Sequence, residues 1–222
     1  MTTPLLPQAF WFRLSMPCRR VDGIPKTGKG RLLDLPDSCR LPQTSALDGK
    51  PAWAEVRVAW NPAGLGIAVE ATGLKEAISF DDRPEGADGV DLWIDTRDTR
   101  TINRASRFCH RFVARLREGS SKTALGVQVV PRPIARAIAD APLCRLDLLV
   151  SRAERIRGGW RLELFIPAEA LNGFDPETNR RLGFAYHVSD PDREDQFLGV
   201  GRDFPLGENP SLWSTLELSD EG

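Results

Sequence analysis

Asp91 and Asp95, with Arg107 and Arg111 shortly downstream, are the residues of this sequence best placed to do chemistry. A carboxylate accepts hydrogen bonds from hydroxyls, and a guanidinium offers a planar fork to carboxylates, phosphates and sugar hydroxyls. Two carboxylates four residues apart resemble the acid/base pair of a glycosidase. Neighbouring arginines would keep both ionised, which removes the proton that a general acid needs. The pattern therefore points to binding and away from proton-transfer catalysis. No G-x-S-x-G elbow, H-E-x-x-H, P-loop or G-x-G-x-x-G is present, so an enzyme is not expected.

These side chains need strands to position them. Val90, Leu92 and Ile94 alternate with Asp91, Trp93 and Asp95, the period of a strand with one face in a core. The alternation resumes with Phe108, His110, Phe112, Ala114 and Leu116 against Arg107, Cys109, Arg111, Val113, Arg115 and Arg117. If the two strands pair, as consecutive strands usually do, Asp91 and Asp95 share a sheet face with a row of guanidiniums. That face is either a ligand-binding surface or a solvated lattice of ion pairs worth roughly 0.2–1 kcal/mol each.

The rest of the chain reads as short strands. Gln8 to Met16 opens with Phe10, Phe12 and Leu14 alternating, and a loop rich in Gly, Pro and Lys follows. Ala54 to Trp60 and Leu65 to Ala71 form a hairpin about Asn61-Pro62-Ala63-Gly64. Thr123 to Val130 is a further strand, and Ile134 with Ile138 is spaced for a helical turn before Pro142. Leu146, Leu148 and Val150 alternate, then Trp160 to Ile166, with Gly158-Gly159 as a hairpin tip. Pro167 to Leu171 is a short helical turn, Leu182 to Ser189 a strand, and Leu212 to Leu218 closes the chain. Many alternating strands with no βα alternation make this an all-β protein, an antiparallel β-sandwich with one or two short helical turns.

Composition bounds the function. At 222 residues, 41% apolar and 27% charged, the chain suffices for one large domain over residues 1–222. A formal net charge of -1 gives no global field for nucleic acid or an anionic membrane. Cys18, Cys39, Cys109 and Cys144 are scattered with no C-x-x-C pair, so zinc and thioredoxin-like chemistry are not expected. The N-terminus lacks a basic region and an apolar run of signal-peptide length. Residence in the cytoplasm is expected, or an extracellular location if a leader precedes this sequence. The SDPDREDQ stretch places Asp190, Asp192, Glu194 and Asp195 close together. It is a solvated acidic loop or, on charge density alone, a calcium site; no other cofactor is expected.

The order of the pieces resembles family 9 carbohydrate-binding modules and the wider group of DOMON-like β-sandwiches. W-x-E-V-x-V-x-W-N with L-x-I-x-V-E is followed by D-G-V-D-L-W-I-D, G-G-W-R-L-E-L-F-I-P-A-E-A-L, L-G-F-A-Y-H-V-S-D-P-D and P-S-L-W-S-T-L-E-L. The likeness runs from about residue 47 to 219, and Gly158 to Leu171 is its most specific part. It implies a non-catalytic sandwich that grips a small saccharide or related polar ligand at its rim. Two rings stack on the sugar, carboxylate, Arg and amide groups bond its hydroxyls, and calcium ions brace the loops. By that resemblance the carboxylate is Asp91, the arginine is Arg107 or Arg111, and the later polar pair is Ser189 with Asp190.

The aromatic positions depart from the pattern, since they fall at about Glu85 and near Asp192 to Arg193. Trp93 is available as a replacement stacking surface, and a cross-strand Trp packed on Arg stems would give the same sequence. An interaction or scaffold protein that kept the fold and lost the sugar site is the alternative. A haem-binding DOMON-type domain is a third reading, with His110 joined by Met16 or His187 as ligands. His110 lies on the apolar register of its strand, which suits a hydrogen-bonded core histidine.

Overall fold

A computed structural model describes residues 6–28, 30–74, 76–81, 87–121 and 123–220. Its strands are β1 Ser15–Arg20, β2 Ala54–Asn61, β3 Gly64–Ala71, β4 Gly89–Asp95, β5 Cys109–Arg117 and β6 Ala124–Arg132. They continue as β7 Val150–Ile156, β8 Gly159–Pro167, β9 Arg181–Ser189, β10 Gln196–Phe197 and β11 Ser214–Ser219. The helical segments among the described residues are single 3-10 turns. The fold is the expected all-β sandwich.

Its two layers are β11-β9-β4-β5-β6 and β2-β3-β8-β7, antiparallel within each layer. Both edges are stitched by strands that change layer. β1 pairs in parallel with β11 through residues 15–19 and with β2 through Arg19 and Arg20. β6 pairs with β7 only at Ala124 and Leu125, then follows β5. Hydrogen bonding therefore runs around the sandwich as one circuit, leaving few open edges to recruit other chains.

Alternate residues of every long strand meet between the layers. Val90, Leu92 and Ile94 of β4 pack with Phe112 and Ala114 of β5, Phe184 and Tyr186 of β9, and Ile67, Leu162 and Leu164 opposite. The β2–β3 hairpin turns where expected, and Gly64 shows why that position is glycine. A Cβ there would stand 2.2 Å from the Ile166 carbonyl oxygen on β8.

Four local expectations are corrected. Gln8–Trp11 is a 3-10 turn and the strand begins only at Ser15, because Phe10 and Phe12 are exposed and supply no core face. Leu146–Leu148 is likewise a 3-10 turn with Leu146 exposed, and β7 starts at Val150. The PIARAIADAP stretch forms turns and no helix, since Arg136 adopts φ 58°, the left-handed region that interrupts a helical run. Arg107 precedes β5, which begins at Cys109.

Candidate functional site

The outer face of the β5-β4-β9 layer carries the site. Asp91 is registered opposite Val113 on β5 and opposite His187 on β9. With a side-chain period of two, Arg111 and Arg115 flank Asp91 diagonally from one side while His187 faces it from the other. Both guanidiniums take the bond: Arg111 Nη2 donates to Asp91 Oδ1 at 2.8 Å, and Arg115 Nη2 to Oδ2 at 2.5 Å. Arg115 also donates to its neighbour's carbonyl, Ala114 O.

The glycine of D-G-V-D has a physical role here. A Cβ on Gly89 would lie 2.1 Å from Ala114 O and 3.0 Å from Arg115 Cδ. Without it, the Arg115 stem lies close over β4 and delivers its charge to Asp91. Trp93, next along, lies with its ring 5.4 Å from the Arg111 guanidinium. It is 5% exposed and packs in a second apolar cluster with Ala105, Cys109, Ile134, Ala185, Leu206 and Trp213. The face is thus neither a solvated ion lattice nor a bare platform. Trp93 is not the open stacking surface expected of it, because the chain after β10 folds over it and brings Gly207 against its ring.

His187 links the strands to the loop after β9. Its Nε2 meets Asp195 Oδ1 at 2.7 Å, its Nδ1 faces Asp91 Oδ2 at 3.8 Å, and its ring stacks on Phe197 with centroids 4.5 Å apart. Arg202 grips Asp195 with Nε and Nη2 together. The result is a line of alternating charge, Arg111–Asp91–His187–Asp195–Arg202. Burial would lower the His187 pKa, but the two carboxylates outweigh it and raise it above the ordinary histidine value. Burial would raise Asp91, but His187, Arg115 and Arg111 outweigh it and hold the carboxylate well below its usual range. Asp195 is lowered in the same way, burial being outweighed by His187 and Arg202.

This line borders a concavity of about 640 Å³, whose wall includes Ser189, Asp190, Arg193 and the rings of Phe197 and Phe204. A second concavity of about 910 Å³ adjoins it and shares Asp190, Arg193 and Asp195. Trp53, just before β2, lies in this second wall. Its Nε1 donates to Glu194 O at 2.9 Å, and the Arg193 guanidinium sits 5.3 Å from its ring. Gln196 fixes the loop against β2 by accepting from Trp53 N and Ala54 N and donating to Ala54 O. An aromatic ring thus stands beside Arg193 after all, supplied by the residue just before β2 and not by the loop. The other aromatic position, at Glu85, lies outside the described residues.

The expected site residues separate as follows. Asp91, Arg111, Ser189 and Asp190 converge on the 640 Å³ concavity with Trp93 at its floor. Arg107 does not; it is exposed, and its guanidinium lies 5.0 Å from the Phe108 ring. Asp95 turns inward to accept the backbone N–H groups of Arg97 and Thr99, fixing the turn after β4. Arg115, Arg202 and Trp53 belong to the site region without any sequence signal marking them, and His187 and Asp195, expected only as haem and calcium candidates, join it in an ion-paired role.

The acidic loop disperses its charge. Asp190 pairs with Arg193 and accepts Asp192 N–H, Asp195 pairs with His187 and Arg202, and Glu194 lies 3.2 Å from Lys50. Among the described residues no group of three or more His, Cys, Asp or Glu side chains is arranged to hold a metal ion. The paired-histidine haem arrangement is corrected by register. His110 is opposite Ile94 on the core side, beside Asn172 O, whereas His187 is opposite Asp91 on the outer side. Two ligands on opposite faces of one layer cannot converge on one iron. Burial lowers the His110 pKa to about 4, as suits a neutral core histidine.

No protein-family model and no curated protein matches the sequence. Two solved structures from Caldicellulosiruptor kristjanssonii are similar in fold. A family 9 carbohydrate-binding module in complex with cellotriose matches at a TM-score of 0.52 and 14% identity, over 76% of each chain. A family 9 module in complex with glucose matches at 0.54 and 15% identity, over 76% of this chain and 78% of that one. The chain therefore has a family 9 carbohydrate-binding module-like fold. No helix among the described residues is long and apolar enough to cross a membrane.

Proposed function

We propose that this protein is a non-catalytic binding domain that takes a small saccharide or related polar ligand beside Asp91, at the rim formed by β4, β5, β9 and the loop after β9. The observation that carries the reading is the 640 Å³ concavity itself, within the size range of small-molecule sites, walled by preoriented Arg, His and Asp side chains and two phenylalanine rings. Rigid donors and apolar faces are what a sugar needs, because each buried hydroxyl left unpaired costs roughly 1–3 kcal/mol. The same-fold modules whose structures hold cellotriose and glucose support the class of ligand.

Its test is a glycan array followed by calorimetric titration of each hit, repeated with Arg202→Ala. Arg202 is the exposed end of the charged line, so its loss is expected to weaken binding while the thermal unfolding midpoint stays within about 2 °C. Absence of any saccharide hit would overturn the reading. It would favour a protein-interaction role, for which the exposed rings of Phe10, Trp11 and Phe12 offer a surface.

A further inference from the structure

We infer that the Asp91 concavity selects a saccharide bearing a carboxylate, a uronic acid unit in place of a neutral sugar; this rests on the saccharide reading above. Which sign of charge a ligand meets is decided by which groups are already used and which still face outward. The wall holds three aspartates, Asp91, Asp190 and Asp195, against four arginines, Arg111, Arg115, Arg193 and Arg202. All three acids are committed: Asp91 to Arg111 and Arg115, Asp190 to Arg193, and Asp195 to His187 and Arg202.

The groups differ in depth as well. The Asp91 side chain is 3% exposed and lies at the floor, whereas Arg111 is 34% and Arg202 65% exposed. A neutral sugar needs acceptors for its hydroxyl protons, and the carboxylates of Asp91 and Asp190 are only 3% and 6% exposed, while Asp195, 22% exposed, is already held by His187 and Arg202. What remains toward solvent is donor-rich and cationic. A guanidinium has five N–H donors, and Arg202 spends only its Nε and Nη2 groups on Asp195. His187 adds a positive charge whenever it is protonated. A ligand carboxylate satisfies such a wall by charge-assisted bonds, the strong kind.

The adjoining concavity gives the ligand a direction. Asp192 and Glu194 are exposed there beside the Trp53 ring, with Lys50 opposite Glu194. A carboxylate is repelled from that side and drawn to the Asp91 side, leaving a neighbouring sugar unit to lie near Trp53.

Calorimetric titration of the purified protein with tri-galacturonate, cellotriose and succinate at low salt tests this. Tri-galacturonate is expected to bind at least roughly tenfold tighter than either of the others, and to weaken as salt rises. Arg202→Gln should reduce its affinity on the order of tenfold, Arg202→Lys less so, and Arg107→Gln, outside the site, not at all. Cellotriose binding as tightly as tri-galacturonate overturns the acidic preference and leaves the saccharide reading standing. Succinate matching tri-galacturonate overturns the sugar class. If neither oligosaccharide binds, both readings fall.

Discussion

His187 Nε2 and Asp195 Oδ1 meet at 2.7 Å, so a residue on β9 and a residue of the loop that follows it are held as one unit. The histidine ring is further pinned by Phe197 and faces Asp91, which is itself bound to Arg111 and Arg115, while Arg202 holds Asp195 from outside. One of the ties between the loop and the sheet is thereby a histidine whose charge depends on pH.

The first prediction concerns pH. The His187 pKa is raised in the fold, so the folded protein keeps a proton that the unfolded chain releases near its ordinary value of about 6.5. Its stabilising contribution is fully present below that value and is lost as pH rises through the higher folded value. The unfolding midpoint of the protein should fall as pH rises above about 6.5, and His187→Gln should remove part of that slope. Thermal melts across this range check it, alongside an NMR titration of the ring. A folded pKa below 6.5 would sink the prediction.

Removing Asp91 is expected to be severe. Arg115 has a side chain only 7% exposed, and Asp91→Ala removes the carboxylate bound to it while leaving the guanidinium buried. Breaking a buried pair from one side costs about 3–5 kcal/mol, so the midpoint of urea unfolding should drop markedly. Arg111→Ala should cost less, since its partner keeps the Arg115 bond and Arg111 itself is one-third exposed. Equal losses from the two variants would argue against this division of labour.

How much of this was legible in the sequence depends on range. The period-two pattern of Val90 to Asp95 identified a buried face and a polar face, and Asp91 with Arg111 followed from pairing neighbouring strands. Arg115 lies in the same alternating row, but only the register, with Asp91 opposite Val113, shows that both arginines flank it equally. His187 was hidden for a different reason. It reaches Asp91 through the β4–β9 ladder, a pairing between segments about ninety residues apart that no local pattern encodes. For Trp93 and Asp95, a strand pattern says which way a side chain points, not what later folds over it. Asp95 ends its strand, and there the backbone N–H groups of the next turn claim its carboxylate.

Arg107 supplies a negative control. It is exposed and lies against Phe108, away from the Asp91 concavity. Arg107→Ala should change stability by no more than about 0.5 kcal/mol and leave saccharide affinity unaltered. A loss of binding measured by titration would return this arginine to the site.

Gly89→Ala tests the geometry that brings Arg115 to Asp91. The added methyl would sit 2.1 Å from the Ala114 carbonyl oxygen and 3.0 Å from Cδ of Arg115, so the β4–β5 ladder must open or the guanidinium must move. Destabilisation of roughly 1–3 kcal/mol is expected by urea unfolding, with binding weakened in the molecules that remain folded. An unchanged midpoint would show that the close approach is not required.

Asp88 offers a prediction of opposite sign, a substitution that stabilises. The residue is buried and accepts the Ser79 N–H at 2.7 Å through Oδ2. Burial, then the nearby charges of Asp190 and Asp192, raise its pKa to about 6 against the pull of the Ser79 N–H and the Trp160 indole. The unfolded chain ionises this group near 3.9, so stability is lost as pH climbs from about 4 to 6 and the loss persists above. Asp88→Asn keeps an oxygen for Ser79 and carries no charge. Its unfolding midpoint should match that of the parent protein below pH 4 and exceed it by roughly 2–4 °C at pH 7, the shift that about 1 kcal/mol produces in a domain of this size. Equal midpoints at pH 7 would mean that the buried carboxylate is better solvated than its surroundings imply.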